Sequence, residues 1–485
     1  MTHISPSFRP LLPLAAIALL ASGCAVGPDY QRPDLKLTGA YVTPAPVATS
    51  APIETWWDGF NDPMLVKVVE RASAQNLDVQ QAAAHILQAR AVAAGAGAAL
   101  LPQVDANGQA ASVSQSLLSP IGQIGSHLPG FPRDLSDYQL GAAASWEIDL
   151  FGGLRRERDA ARAEAQAAQA DGAAVRVSVA ADAADAYLQV RSFQARLDVA
   201  RRQERTEQDL VALLTRRVGE GVSPERELHQ AQATLLGVRA TIPPLTAGLD
   251  RQLNRLDVLM GAQPGTYRAE LEAPSALPQT PGLSIAEGPA DLLRRRPDVL
   301  AAEQRLIAAN AGVGAAISDY YPKVSVSALL GFDSTVSTRL FDPLAAEHQV
   351  AGGLRWRLFD FGRVDAEVAQ AKGRKAEALA AYRGSVLKAT EDVEDALSDL
   401  REQQARADAL AHQIDELTTA RNQSQQAFDG GVISLVEVRD ADRDLLNASD
   451  QLVQARAGAA RAAVAAYRAL GGGWTPDGSV KVAAK

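Results

Sequence analysis

Two halves of the 485-residue chain repeat one another at nearly constant offset, and this duplication constrains the fold more than any single motif does. Trp146, Phe151, Gly152, Asp182, Asp185, Arg191, Gly221, Val222, Glu227, Leu235, Leu236 and Gly261 recur, identical, 210 residues later. Their counterparts are Trp356, Phe361, Gly362, Asp392, Asp395, Arg401, Gly431, Val432, Glu437, Leu445, Leu446 and Gly471. Upstream, Asp78, Val79, Pro102 and Val104 recur 220 residues later as Asp298, Val299, Pro322 and Val324. The extra ten residues therefore fall between Pro102 and Trp146, while the stretch from Trp146 to Gly221 keeps its length in both copies. A length held fixed across two diverged copies predicts a measured rod, and the variable segment beside it predicts a loop.

One duplicated body with ancillary segments follows, rather than the several domains that this length could hold. The formal net charge is −9, and it is −10 without residues 1–23, whose one ionised side chain is Arg9. A basic footprint is absent, so no nucleic-acid partner is expected. Abundant alanine with 5% aromatics suits long, closely packed helices better than a bulky globular core. Cys24 is the single cysteine, which excludes an internal disulfide and any CxxC or Cys/His metal spacing.

Leu11 to Ala21 is an apolar run too short to span a bilayer, preceded by Arg9 and followed by the small residues Ser22 and Gly23. Residues 1–23 read as a secretory signal. The cysteine directly after Ser-Gly resembles a bacterial lipobox, in which the thiol is acylated and becomes the new N-terminus. Ala25 beside it, in place of an acidic residue, favours sorting to the outer membrane. The plain alternative is ordinary signal cleavage with Cys24 as a bystander.

Around each hairpin the pattern switches to strict alternation. In Tyr138–Leu150 the even positions are apolar (Tyr138, Leu140, Ala142, Ala144, Trp146, Ile148, Leu150) and Gln139, Ser145, Glu147 and Asp149 face the other way. The second copy alternates over Val324–Phe332 and again over Val350–Leu358, and Val104–Ala110 alternates with small residues. Strands of roughly 9–11 residues with one apolar and one polar face suit a membrane β-barrel, where lipid leaves no partner for an open sheet edge. Four strands cannot enclose a lumen. Three chains would supply twelve, above the minimum of about eight. A soluble, half-exposed sheet is the competing reading.

Between strand and tip, Val179, Ala183, Ala186, Val190, Phe193, Leu197 and Ala200 alternate spacings of four and three, the signature of helix against helix. The 210-shifted set, Ala389, Val393, Ala396, Leu400, Gln403, Ala407 and Leu410, fails only at Gln403. From Phe151 to Gly221 the span predicts a helix of roughly 100 Å at about 1.5 Å per residue. Shorter helices are expected over 62–100, 225–260, 297–318 and 435–470, with a second long one over 363–428. Gly221-Val222-Ser223-Pro224 reads as a helix stop, an N-cap serine and a proline at the first helical position. Gly430, Gly431 and Ser434 repeat the arrangement.

Three motifs then carry a family resemblance. Cys24-Ala25-Val26-Gly27-Pro28-Asp29-Tyr30 with Arg32-Pro33, Trp56-Trp57-Asp58-Gly59-Phe60 with Asp62-Pro63, and Leu292-Leu293-Arg294-Arg295-Arg296-Pro297-Asp298 resemble the outer-membrane factor family. These are the TolC-like channels, specifically the lipidated OprM/NodT-like branch that serves RND-type efflux pumps, and the resemblance covers essentially the whole mature chain. It implies a mainly α protein with a membrane β-barrel: a homotrimer whose twelve-stranded barrel joins a periplasmic α-helical barrel, with a belt around its middle. It also implies a periplasmic adaptor (membrane fusion) protein and an inner-membrane RND-type pump as partners, with outer-membrane lipid around the barrel.

No catalytic cluster is visible. The six histidines, His3, His85, His127, His229, His348 and His412, are scattered without HExxH spacing, and Gly95-Ala96-Gly97 lies on a helical pattern rather than after a strand. No cofactor is expected. Arg294–Arg296 suits pairing with neighbouring acids better than a polyanion patch. Just past the second tip, Glu437 and Asp440 lie three apart on one helical face, and Glu227 holds the matching place in copy one, with Gln230 opposite Asp440. In TolC-like channels acidic residues at this tip ring the periplasmic entrance, so the resemblance makes Asp440, Glu437 and Glu227 pore-gate candidates. Ser434-x-x-Glu437 is also a capping box, which gives Glu437 a structural alternative.

The resulting division is a signal at 1–23, a lipid-anchored segment at 24–61, and repeat 1 at 62–261 with its β-hairpin near 102–150. A Pro-rich equatorial linker at 262–296 follows, then repeat 2 at 297–471 with its β-hairpin near 322–360, and a tail at 472–485. The function implied is a passive, non-enzymatic exit duct for drugs or other toxic small molecules, lipid-anchored in the bacterial outer membrane and extending into the periplasm. The rivals are a type I protein-secretion duct and a periplasmic coiled-coil adaptor lipoprotein without a barrel.

Overall fold

A computed structural model describes residues 25–35, 37–43, 52–130, 132–283, 288–290 and 295–475. The signal segment, Cys24, Arg294 and the end of the tail lie outside the described residues. The chain forms two compact units, one of Met1–Pro33, Leu87–Gln166 and Gln304–Ala380, the other of Asp34–Ile86, Ala167–Glu303 and Ala381–Lys485.

The first unit holds one antiparallel sheet. Its strands are β1 (Gln103–Ser114), β2 (Asp134–Ile148), β3 (Lys323–Ser334) and β4 (Ala346–Arg355), in the order β1-β2-β3-β4. Opposed residues share a face, so the even-numbered apolar side chains meet across each pair: Trp146 with Val326, Leu140 with Phe332, Ala328 with Val350. The strand ends differ from the alternation pattern. β2 stops at Ile148 rather than Leu150 because the Asp149 carboxylate turns to accept the Leu154 and Arg155 amides at 3.2 and 2.9 Å, starting a helix. β4 begins four residues before Val350, carried by pairing with β3 as far as Phe332–Ala346, and ends at Arg355. β1 pairs along its whole length despite its small side chains, because the ladder is a backbone property. Among its described residues, the loop joining β1 to β2 holds the short helix Pro120–Gly125, capped by Ser119.

Helix lengths obey the duplication. Numbering the α-helices of eight or more residues among the described residues in chain order, α1 is Pro63–Gln75, α2 Leu77–Ala98, α3 Gly153–Gly219, α4 Glu225–Leu259, α5 Pro297–Ser318, α6 Arg363–Asp429 and α7 Leu435–Ala469. The long pair α3 and α6 have 67 residues each, α4 and α7 have 35 each, and α2 and α5 have 22 each. At about 1.5 Å per residue the longest helices measure roughly 100 Å. Among the described residues no helix is long and apolar enough to cross a membrane.

The expected helix over 62–100 is broken at Asn76, which has extended backbone (ψ 135°). Its side-chain oxygen accepts the Asp78 amide at 2.8 Å while its Nδ2 donates to the Leu259 carbonyl at 2.9 Å. A buried Asn that caps the next helix in this way competes with helix continuation.

The second unit is built on small side chains. The heptad positions Val179, Ala183, Ala186, Val190, Leu197 and Ala200 are buried, as are Ala389, Val393, Ala396, Leu400 and Leu410. Gln403 is accommodated where the pattern failed because Gly458 faces it: a Cβ there would lie 2.9 Å from the Gln403 amide oxygen. Trp56, from the 3₁₀ turn Ile53–Phe60, stacks on Tyr467 of α7 at 5.5 Å. Arg295 pairs with Glu54 at 2.7 Å, and Arg296 with Asp298 at 2.7 Å and Asp392 at 2.9 Å.

Candidate functional site

Both helical tips lie in the second unit and are closed by the same backbone device. In the first, the Gly221 amide donates to Val218 and the Val222 amide to Arg217; in the second, Gly431 donates to Phe428 and Val432 to Ala427, all at 2.8–2.9 Å. Gly221 and Gly431 adopt φ of +72° and +71°, a left-handed turn that glycine takes without Cβ strain. Gly430 continues the helical bonding with its amide on the Gln426 carbonyl at 3.0 Å.

The returning helices start differently. α7 is capped by Ser434, and the Glu437 carboxylate reaches back to accept the Ser434 amide and hydroxyl, each at 3.3 Å, in a capping box. α4 begins at Glu225 with Pro224 as its N-cap residue, one position later than the Ser223 cap and first-turn Pro224 expected. No side chain caps it, and the Glu227 amide instead reaches the Pro224 carbonyl at 3.1 Å. Proline has φ compatible with either position, so the register of the cap was decided by the turn before it.

Of the acidic candidates, Glu437 is thus engaged at its own helix start. Asp440, 55% exposed, pairs with Arg443 one turn on at 3.2 Å. Glu227 stands in the first turn of α4, half-buried. Asp440 and Glu437 are both exposed, whereas Glu227 is half-buried.

A set of charges in the seam was missed. Continuing the first heptad past Ala200 places Glu204, Glu207, Val211 and Leu214 on the buried face, so two carboxylates stand where apolar residues are expected. Each meets a cation from another helix: Glu204 pairs with Arg239 at 2.9 Å, and Glu207, buried, faces Arg439 at 3.7 Å while Arg439 also donates to the Thr234 hydroxyl at 3.2 Å. Arg421 and Asp442 form a matching pair at 2.7 Å. The seam spacing carried the signal for Glu207, but nothing local pointed to Arg439.

Burial pushes the Glu207 carboxyl up, the Arg439 charge pulls it back, and Asp442 adds to the rise. A carboxyl titrating above its unfolded value of about 4.3 favours the fold most at acid pH, and that contribution is lost as pH rises through the folded value. Comparison with Glu207→Gln should therefore show the wild-type advantage in unfolding temperature growing as pH falls from about 7 to about 4. A difference that stays flat, or shrinks, across that interval would contradict it.

The described residues thus hold two long helical hairpins with acidic tips and one four-stranded sheet whose outer strands are β1 and β4. The sequence pattern of the family described as "Outer membrane efflux protein" matches residues 68–262 and 288–472, and the chain belongs to that family. Among its relatives is the pyoverdine export outer membrane protein OpmQ of Pseudomonas putida, 31% identical, with 89% of this chain and 90% of OpmQ aligned. Another is the toluene efflux pump outer membrane protein TtgI of Pseudomonas putida, 29% identical over 96% of this chain and 98% of TtgI. The solved outer-membrane channel OprN superposes with a TM-score of 0.83 at 33% identity, covering 93% of this chain and 99% of OprN. The protein is accordingly an outer-membrane efflux channel subunit and not an enzyme. Channels of this family form trimers and work with an adaptor and an inner-membrane pump.

Proposed function

We propose that this chain is the exit duct of an RND-driven tripartite efflux pump, anchored by acylated Cys24 and gated at the tips by Asp440 with Glu437 and Glu227. The single observation that carries the gate is the half-exposed Asp440 carboxylate in the first turns of a hairpin helix whose length is held equal between the repeats. Three copies around one axis would crowd like charges, which repel each other and draw in cations. The cargo class is small organic molecules, since relatives are named for pyoverdine export and toluene efflux. On this reading the segments 24–61, 262–296 and 472–485 form the belt, and the RND-type pump and its periplasmic adaptor are the partners.

The gate is tested in planar bilayers. Asp440→Asn should reduce cation selectivity and block by divalent ions while the trimer still assembles, whereas Glu437→Gln should chiefly cost about 0.5–2 kcal/mol of local helix stability through the lost cap. Unchanged selectivity and unchanged divalent block in Asp440→Asn would move the gate elsewhere. The anchor is tested by mass spectrometry of the mature protein: the N-terminal residue should be Cys24 carrying acyl mass, and an unmodified N-terminus at another residue would overturn it. Cys24→Ser should weaken membrane retention more than folding.

A further inference from the structure

The helix-side end of the second hairpin carries two like charges side by side. Lys323 on β3 and Arg355 on β4 are directly opposite one another, an arrangement that works against a sheet. The same place in the first hairpin is held by Gln103 opposite Ser145, a neutral pair. The fold therefore does not require charge at this position, and the second copy keeps it at a cost.

The two cations are not equally answered. Lys323 pairs with Asp319 at 2.9 Å. Arg355 is exposed and makes no ion pair or side-chain hydrogen bond among the described residues, although Arg357, two residues on, is held by Glu367 at 3.1 Å. An unanswered guanidinium beside a second cation favours a negatively charged group from outside the chain, and its planar fork suits a carboxylate or sulfonate.

Both cations line a cavity of about 940 Å³ in the first unit, where α2 gives way to β1. Gln103, Ser145 and Ser325 extend its polar wall, and Ala98, Ala99, Leu101 and Trp146 supply an apolar one. A space of this size, with apolar walls and a few convergent polar groups, suits a drug-sized molecule. The acid that lines it is Glu147, opposite Ser325 and so one strand removed from Arg355. Its charge repels a second negative group on the same ligand.

We propose that this cavity is a transit site for amphipathic organic monoanions, the charge held by Arg355 with support from Lys323 and the apolar body lying against Leu101 and Trp146. The proposal rests on the efflux-duct reading, in which the apolar face of the sheet meets lipid and the polar face, with Arg355, meets the lumen. It adds a preferred cargo charge to that reading.

Equilibrium dialysis of naphthoate against the full-length protein in non-ionic detergent tests it, with empty micelles subtracted and particle mass measured in parallel. Naphthoate should bind saturably and more weakly as salt rises. Uncharged naphthol and a naphthalene dicarboxylate should each bind about tenfold more weakly than naphthoate. Arg355→Gln should weaken naphthoate binding about tenfold and flatten its salt dependence, Arg355→Lys should recover part of the loss, and Arg357→Gln should leave binding unchanged. Equal binding of naphthoate to the wild type and to Arg355→Gln, in particles of trimer mass, overturns the site and leaves the duct standing. Competition by phosphatidylglycerol added to the micelles would assign Arg355 to lipid headgroups and overturn the cargo role. A monomeric particle overturns the duct reading, and the site with it.

Discussion

Trp56→Ala should lower the unfolding temperature of the purified channel on the order of 10 °C, from a loss of about 3–5 kcal/mol at roughly 2–4 °C per kcal/mol. Trp56 is 1% exposed, stacks on Tyr467 with an interplanar angle of 11°, and meets Trp57 and Phe60 edge-on. The wall on its other side is tight. A Cβ at Gly472 would lie 3.0 Å from the indole ring, so the chain beyond α7 closes directly over it. Tyr467 and Phe60 are themselves buried and cannot swing in to fill the void without leaving their own contacts. Trp56→Phe keeps an aromatic face against Tyr467 and should lose less than half as much. A shift of only one or two degrees for Trp56→Ala, measured by thermal unfolding, would mean that this cluster is not what holds the N-terminal turn to α7.

Arg296→Ala is the second large effect, expected at about 1.5–3 kcal/mol because several charge-assisted hydrogen bonds go at once. The guanidinium is largely buried and donates to Asp298 at 3.0 and 2.7 Å, to Asp392 at 2.9 Å, and to the Ala389 and Ala469 carbonyls at 3.4 and 3.2 Å. Burial works against the charge, yet hydrogen bonds and attraction from Asp298 and then Asp392 outweigh it and hold the group above its ordinary value. Ala469 ends α7, so the same side chain satisfies a helix C-terminus and ties the start of α5 to α6. Arg296→Lys should not rescue the loss, since an ammonium cannot span two carboxylates and two carbonyls with one planar fork. Full recovery in the lysine variant would reduce the interaction to simple charge neutralisation.

Much of this fold was legible because its causes are local or periodic. The heptad from Val179 to Ala200 predicts a buried seam whatever lies opposite, glycine at 221 and 431 predicts a left-handed turn, and equal spacing between identical residues predicts helices of equal length. The strand alternation likewise identified all four strands, though Asp149 and the pairing with β3 moved their ends by several residues. The capping box at Ser434 and Glu437 was readable for the same reason, since both partners lie within one turn.

What the sequence by itself determined, then, is periodicity, repeat length and the chemistry of the turns, all set by interactions between near neighbours. Tertiary structure decided where identical residues part company. Arg191 is buried and donates to the Tyr187 hydroxyl and the Ala273 carbonyl, whereas its counterpart Arg401 lies at the surface beside Glu402. Phe151 stacks on Tyr321, whereas Phe361 is fully exposed and has no ring partner among the described residues. Asn76 breaks a helix because Leu259, 183 residues away, offers its side chain a carbonyl. Glu207 can stand in an apolar seam because Arg439 arrives from another helix. A side chain's environment depends on segments hundreds of residues distant, and no local spacing encodes which segment that will be.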